Sequence, residues 1–253
     1  MLTLQNITIK FGGLTAVNEV TAAIETGVIF GLIGPNGAGK TTLFNIISGV
    51  YAPTSGTVLF NDQNITGLPP YKINALGISR TYQNINLFSK MSVLENVMVG
   101  CHTQSDSGIF ASVLRTKAQQ IEENTIKRKS IEILEFMNLA DKVNYTASNL
   151  SYGEQRRLEI ARALASAPKM LLLDEPAAGM NGREKEELSE TIRKINAKGI
   201  TILLVEHDMK LVMNVTHQIC VLNYGKKIAF GDPEQIQKDE NVIAAYLGGG
   251  IDV

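Results

Sequence analysis

Apolar and polar residues alternate at the start of the chain, in residues 2–9, and a second apolar run occupies residues 20–24. Gly12-Gly13 separates the two runs, and residues 56–62 form a third run that ends in Asn-Asp. A period of two predicts strands with one buried face, and such glycine or Asn-Asp pairs predict turns. The first quarter of the chain is therefore expected to contain antiparallel strands.

Three runs that are almost entirely apolar, in residues 28–33, 170–173 and 200–205, show no alternation. Runs of this length predict strands that are buried on both faces, as in parallel sheets. The charged segment 183–197 lies between the last two runs and predicts the crossover helix that parallel strands need. Residues 219–230 add two apolar runs around a Tyr-Gly-Lys turn, so the second half of the chain is predicted to be α/β.

The pattern changes between about residues 94 and 164. Apolar residues there recur near the spacing of a helix among charged residues, without a strand-like run. This pattern predicts a helical subdomain inserted into the α/β core. We therefore expect one domain over residues 1–253, with residues 1–93 and 165–253 as its core. Asp232-Pro233 predicts the start of a C-terminal helix, because aspartate is a favoured cap and proline a favoured first helical residue.

Composition narrows the possible classes of function. The chain has 253 residues, 44% of them hydrophobic, and a formal net charge of −1, which gives no electrostatic basis for a nucleic-acid-binding face. Its two cysteines, Cys101 and Cys220, lie outside any C-x-x-C pattern, which argues against a disulfide framework or a zinc site. No apolar run approaches the roughly 18 residues that span a bilayer. We expect a protein that is soluble or held at a membrane by a partner.

The strongest chemical signal directly follows the apolar run at residues 28–33. It fits the pattern G-x-x-x-x-G-K-[ST], and its residues are Gly34, Pro35, Asn36, Gly37, Ala38, Gly39, Lys40, Thr41 and Thr42. Glycines let backbone N–H groups turn toward phosphate oxygens, and a helix that starts there adds its positive end. Lys40 is expected at the β- and γ-phosphates and the Thr41 hydroxyl at Mg²⁺. Because a strand precedes the segment and a helix follows it, a nucleoside triphosphate site is favoured over a plain glycine-rich turn.

Two adjacent carboxylates, Asp174 and Glu175, end the apolar run at residues 170–173. In open α/β sheets, ligands bind beyond the carboxyl ends of the strands, which is the edge where the phosphate loop is also expected. Asp174 is expected to hold Mg²⁺ through its water shell, and Glu175 to orient or deprotonate an attacking water. The alternative is an acidic turn that caps the next helix.

His207 follows the apolar run at residues 200–205, again at the end of a predicted strand. A lone histidine in this position is usually structural. Its predicted place at the phosphate-binding edge indicates instead that a neutral imidazole donates a hydrogen bond to the γ-phosphate and helps to fix the water or the carboxylate. Lys40, Glu175 and His207 are therefore the predicted catalytic residues.

Taken in order, these motifs resemble the ATP-binding cassette (ABC) family over essentially the whole chain. Two more family segments match: a glutamine loop at Arg80-Thr81-Tyr82-Gln83-Asn84 and a signature at Leu150-Ser151-Tyr152-Gly153-Glu154-Gln155. The resemblance implies an α/β fold, a P-loop NTPase core with a mixed sheet, an N-terminal antiparallel β-subdomain and an inserted α-helical subdomain.

The resemblance also implies how ATP and Mg²⁺ bind. Gln83 would contact both the nucleotide and the metal. In a head-to-tail dimer, Ser151 and Gly153 of one subunit would close over the γ-phosphate held by the other. Phe11 matches the position where the family places an aromatic ring on the adenine, and packing against the first strands is the alternative.

Two departures from the general family pattern indicate a subgroup within the family. Tyr152 stands in the signature where most members have glycine, and Asn181 stands where an aspartate is usual. These variants, and the segments 154–162, 174–179, 205–209 and 244–248, look like those of the ATPases of bacterial branched-chain amino acid importers. The alternatives are ATPases of urea, amide, polar amino acid or lipopolysaccharide transporters, and soluble ABC ATPases outside transport.

Resemblance to that group implies partners and a location. The partners are a second ABC ATPase subunit, either a related paralogue or another copy, two membrane permease subunits, and indirectly a periplasmic or extracellular solute-binding protein, with no nucleic acid. The chain would lie peripherally at the cytoplasmic face of the inner membrane. Residues 84–88 would line a groove for a short permease helix, and core packing of Ile85, Leu87 and Phe88 is the equal alternative.

Overall fold

The structure is a computed structural model that describes residues 1–101 and 117–247, so part of the predicted helical subdomain, residues 102–116, lies outside the described residues. Contacts divide the chain into two units. The first unit joins Met1–Arg80 to the chain from Lys169 onward, and the second is Thr81–Pro168.

The strands all belong to the first unit, and the helices are shared between the two. The strands are β1 (Leu2–Phe11), β2 (Leu14–Ile24), β3 (Ile29–Ile33), β4 (Ser55–Phe60), β5 (Gln63–Asn64), β6 (Ile78–Arg80), β7 (Met170–Asp174), β8 (Thr201–Val205), β9 (Gln218–Asn223) and β10 (Lys226–Gly231). The helices are α1 (Lys40–Ile47), α2 (Pro70–Ala75), α3 (Val93–Cys101), α4 (Lys117–Phe136), α5 (Tyr152–Leu164), α6 (Gly182–Ala197), α7 (Met209–Val215), α8 (Pro233–Lys238) and α9 (Glu240–Leu247).

A six-stranded mixed sheet organises the first unit. Its strand order is β10-β9-β3-β8-β7-β6, in which the strands from β9 to β6 run parallel and β10 pairs antiparallel with β9. Every residue of β3, β7 and β8 is buried, as expected for the three continuous apolar runs. The register places Asp174 opposite Val205, so the predicted acidic pair and the predicted histidine follow adjacent strand ends.

A second sheet, with the order β2-β1-β4-β5, is antiparallel throughout. Its alternating apolar residues, including Leu2, Leu4 and Ile24, join Phe44 of α1 in one hydrophobic cluster. The predicted combination of an α/β mixed sheet with an N-terminal antiparallel sheet is therefore confirmed. The C-terminal helix α8 also begins as predicted, because Asp232 accepts a hydrogen bond from the N–H of Gln235 and Pro233 is the first helical residue.

The second unit is built from α3, α4 and α5. Buried apolar residues on these helices and their connections form its interior, among them Val97, Leu134 and Leu158. Helix α5 starts at a capping box in which Ser151 and Glu154 satisfy each other's backbone N–H groups. Within residues 1–101 and 117–247, no helix has both the length and the hydrophobicity needed to cross a membrane.

Candidate phosphate-binding and hydrolytic site

The phosphate loop connects β3 to α1 at the carboxyl edge of the mixed sheet. Gly39 has a φ of +99°, and a Cβ atom there would lie 2.6 Å from the carbonyl oxygen of Ala16, so only glycine fits. A Cβ on Gly34 would collide with the carbonyl oxygen of Leu222. The loop is thus pressed against neighbouring strands while Asn36 and Gly37 at its tip remain exposed.

Lys40 is the first residue of α1, and its ammonium group lies inside the loop. Nζ donates hydrogen bonds to the carbonyl oxygens of Gly34, at 2.7 Å, and Pro35, at 2.9 Å. Burial lowers the pKa of Lys40, and the negative charge of Glu175 partly offsets that shift. The loop therefore encloses a positive charge that is available to anionic oxygens. Thr41, the predicted metal ligand, is exposed beside it, and Thr42 is half-buried.

Glu175 and His207 meet across the ends of β7 and β8. The N–H of Glu175 donates to the carbonyl oxygen of Val205 at 2.9 Å, which extends the pairing of the two strands by one residue. Nε2 of His207 lies 2.8 Å from Oε1 of Glu175. Glu175 has a φ of +46°, a strained conformation for a residue with a side chain, and such strain concentrates at functional sites.

Asp174 is buried and forms an ion pair with Arg80, whose Nη2 lies 3.1 Å from Oδ2. The same guanidinium donates 2.7 Å hydrogen bonds to Asn45 and Ser48, and lies over the ring of Phe44. Arg80 thus ties the acidic strand end to α1. In the sequence, Arg80 is only the first residue of the glutamine-loop segment, and nothing there pairs it with a carboxylate 94 positions away.

A cleft of about 620 Å³ lies against the phosphate loop. It is lined by residues 34–38 of the loop, by His207, by Tyr224 and, from α9, by Tyr246. Burial raises the pKa of Tyr246, and a hydrogen bond with the backbone of Gly34 opposes that shift. Neither tyrosine was predicted to lie here, because no motif links the turn between β9 and β10, or helix α9, to the phosphate loop.

Phe11, the predicted adenine contact, lies at the end of β1 and is 45% exposed. Its ring meets that of Tyr51 edge-on, with 5.3 Å between the ring centroids. The alternative of a core role in packing the first strands does not agree with this exposure. Tyr51 is also partly exposed, at 38%, so both rings keep some surface open to solvent.

Comparison with known proteins places this geometry in a family. Residues 17–178 match the family model described as "ABC transporter". The chain belongs to the ABC transporter family. Residues 226–252 also match the model "Branched-chain amino acid ATP-binding cassette transporter". The resemblance seen in the motifs is therefore confirmed, and the chain is an ABC ATPase.

The similar proteins span nearly the whole chain. The high-affinity branched-chain amino acid transport ATP-binding protein LivG of Escherichia coli K12 is 46% identical over 98% of both chains. The crystal structure of the ADP conformation of the cassette MJ1267 is 33% identical, covers 98% of both chains and has a TM-score of 0.86. A dimeric structure of the cassette MJ0796, bound to ADP and Pi in a post-hydrolysis state, is 26% identical, covers 92% of this chain and 99% of its own, and has a TM-score of 0.78.

Apart from Asn181, the remaining residues that the ABC resemblance singles out lie in the second unit. Gln83 is exposed, and its carbonyl oxygen accepts a 2.8 Å hydrogen bond from Arg156. Ser151 is the exposed N-cap of α5, whereas Gly153 is buried in its first turn. Tyr152, the departure from the usual signature glycine, is 46% exposed. Asn181, the other departure, lies in the first unit and caps α6 by accepting from the N–H of Glu184.

The segment proposed as a groove for a permease helix is only partly packed. Ile85 and Leu87 are half-buried, and Phe88 is 46% exposed beneath the guanidinium of Arg162, at 5.6 Å from its ring centroid. Core packing therefore does not account for Phe88.

His217 lies away from the phosphate loop and has a structural contact. Its Nδ1 accepts a 2.9 Å hydrogen bond from the backbone N–H of Ile29.

Proposed function

We propose that this chain hydrolyses ATP to drive an importer of branched-chain amino acids. The observation that carries the chemistry is the 2.8 Å contact between His207 and Glu175, in the same unit as the phosphate loop. The choice of solute rests on the branched-chain transporter model matched by residues 226–252 and on the 46% identity with LivG.

The phosphate loop, residues 34–42, would bind the phosphates of ATP through its backbone N–H groups. Lys40 would exchange its bonds to the carbonyls of Gly34 and Pro35 for β- and γ-phosphate oxygens, which costs little because its ammonium is already held in the loop. Phe11 would stack on the adenine with the support of Tyr51.

The donor set fits Mg²⁺. Thr41 and Asp174 offer the hard oxygen atoms that this ion prefers, and Gln83 is the further ligand that the ABC resemblance implies. The described parts of the chain hold no group of three or more His, Cys, Asp or Glu residues arranged around a metal. A site with one carboxylate suits Mg²⁺, which keeps several waters and shares substrate phosphates. When bound, the ion would neutralise charge that develops on the phosphates.

Glu175 would act as the general base or orienting group for the attacking water. His207 would hold the Glu175 carboxylate by its Nε2 contact, and its exposed ring, at 44%, would offer a hydrogen bond to the γ-phosphate. Asp174, held by Arg80, would keep its carboxylate fixed at the adjacent position on the same sheet edge.

The complete site would need a second ATPase subunit, either a copy of this chain or a related paralogue. Ser151 and Gly153 of that partner would close over the γ-phosphate. Within each chain, residues 1–93 and 165–253 would form the core, and residues from about 94 to 164 would form the helical subdomain. The transporter would include two membrane permease subunits, one of which would place a short helix against residues 84–88. A periplasmic or extracellular solute-binding protein would deliver the solute. The chain would lie at the cytoplasmic face of the inner membrane.

Uptake assays test the proposal. Cells with and without this subunit would be given labelled leucine, urea and a polar amino acid, and the deletion would be complemented by the parent chain or by Glu175→Gln. Loss of leucine uptake alone, restored by the parent and not by Glu175→Gln, is the expected result. Loss of urea or polar amino acid uptake alone would reassign the solute, and unchanged uptake of all three would contradict a role in their transport.

A further inference from the structure

Glu206 is a buried carboxylate at the end of β8, and neither the motifs nor the proposed function gives it a role. It lies between Val205, the last residue of the strand, and His207, and it is 4% exposed. A buried carboxylate is costly unless hydrogen bonds satisfy its oxygens, so its contacts indicate what it does.

Both oxygens of Glu206 accept hydrogen bonds from backbone N–H groups. Oε1 accepts from Ala177 at 2.6 Å, and Oε2 accepts from His207 at 3.0 Å and from Asp208 at 3.5 Å. Ala177 belongs to the turn that follows Glu175, whereas His207 and Asp208 belong to the loop after β8. One side chain therefore fastens the two loops that carry the residues proposed for hydrolysis.

These two loops need such a restraint. Glu175 adopts a left-handed backbone conformation, which persists only where surrounding contacts hold it. The turn after it is tight, with the N–H of Ala178 bonded to the carbonyl of Glu175. Burial excludes water that would otherwise compete for the N–H groups of Ala177 and His207. Burial raises the pKa of Glu206, while the three amide donors lower it.

We propose that Glu206 is a positioning residue that sets the contact between Glu175 and His207 by holding the backbone on both sides of it. The inference rests on the function proposed above for those two residues. Glu206 need not touch ATP. Its effect is expected on the rate of hydrolysis and not on nucleotide affinity, because the phosphate loop and Lys40 make none of these bonds.

Glu206→Gln is the informative substitution because it preserves size and removes one acceptor. The glutamine amide has only one oxygen that can accept hydrogen bonds. Its NH₂ group must therefore face either the N–H of Ala177 or the N–H groups of His207 and Asp208, so that two hydrogen-bond donors face each other. We expect kcat for ATP hydrolysis by the full chain to fall roughly 10- to 100-fold, as for misplacements of about 1 Å in other sites, with ATP affinity within twofold of the parent.

Lys185→Met is the matched control. Lys185 also links α6 to the loop after β8, through a 2.7 Å ion pair with Asp208, and it makes none of the bonds to Glu206 described above. We expect its kcat to match the parent. Both variants would be assayed well below their melting temperatures, so that a loss of stability alone leaves kcat unchanged. Parent kcat in Glu206→Gln, or an equal loss in Lys185→Met, would overturn the inference, and so would loss of ATP binding in Glu206→Gln.

Glu175→Gln separates this inference from the proposed function. Loss of turnover in Glu175→Gln with parent turnover in Glu206→Gln would overturn only the role of Glu206, whereas parent turnover in Glu175→Gln would overturn both. If Glu206→Gln does not fold, amide hydrogen exchange of the parent protein tests whether Glu206 holds the two loops. Slow exchange of the Ala177 and His207 amides supports the inference, and exchange at the rate of free amides overturns it.

Discussion

Oε1 of Glu175 and Nε2 of His207 lie 2.8 Å apart although 32 positions separate the two residues in the chain. Because a positioned base commonly contributes 10²–10⁴-fold, we expect Glu175→Gln to bind ATP with parent affinity and to hydrolyse it at least about 100-fold more slowly. Nucleotide binding, phosphate release and dimer content by size-exclusion chromatography would be measured together. We expect ATP to trap a dimer, and hydrolysis at the parent rate would remove Glu175 from its proposed role.

Lys40 is expected to contribute directly to the affinity for ATP. We expect Lys40→Ala to weaken ATP binding by at least roughly tenfold, because it removes the charge-assisted bonds that the ammonium makes to phosphate oxygens. Isothermal titration with ATP measures the change. Lys72→Ala, an exposed lysine on α2, serves as the control for loss of one positive charge. Equal affinities for the parent and Lys40→Ala would contradict the phosphate-loop interpretation.

The buried ion pair of Arg80 and Asp174 predicts a loss of stability. The two side chains are only 12% and 4% exposed, and breaking such a pair by truncation commonly costs about 3 kcal/mol. Urea unfolding of Arg80→Met should therefore show a lower midpoint. The control is Arg183→Met, which breaks an ion pair with Glu187 whose members are 89% and 47% exposed, and we expect no measurable change there. Equal midpoints for Arg80→Met and the parent would show that this pair is not stabilising.

Arg156 and Glu159 of α5 form a second buried pair, 2.8 Å apart, that holds the glutamine-loop segment. Arg156 donates to the carbonyls of Tyr82 and Gln83, and Glu159 accepts from the N–H groups of Tyr82 and Asn86. Since this segment includes the proposed permease contact at residues 84–88, it would couple hydrolysis to transport, and we expect Glu159→Gln to reduce solute uptake more than basal ATP hydrolysis. An equal loss of both activities would argue against the coupling role.

Both cysteines should be unreactive in the folded protein. Cys101 and Cys220 are 4% and 1% exposed, and burial raises the pKa of both thiols, that of Cys220 to about 12. Since the thiolate is the reactive form, labelling with a disulfide reagent near pH 8 should detect about zero thiols before denaturation and two afterwards. Rapid labelling of a thiol in the folded protein would show that the structure around that cysteine opens readily.

The sequence alone determined the elements and motifs whose signals are local. The apolar runs that became β3, β7 and β8 were recognisable because strands buried on both faces carry few polar residues. The phosphate loop was recognisable because its glycines and its lysine are adjacent in the chain. Strand β6 has only three residues, too few for any periodicity to emerge, and it was not predicted.

Only the tertiary structure decided which distant side chains meet. The pairing of β7 with β8 brings Glu175 to His207, the end of β6 brings Arg80 to Asp174, and the turn after Glu175 brings Ala177 to Glu206. Sheet register and loop closure set these distances, and both depend on packing across the whole unit. A sequence pattern records which residues are buried or repeated, but a hydrogen bond between residues 29 or 94 positions apart leaves no periodic trace in it.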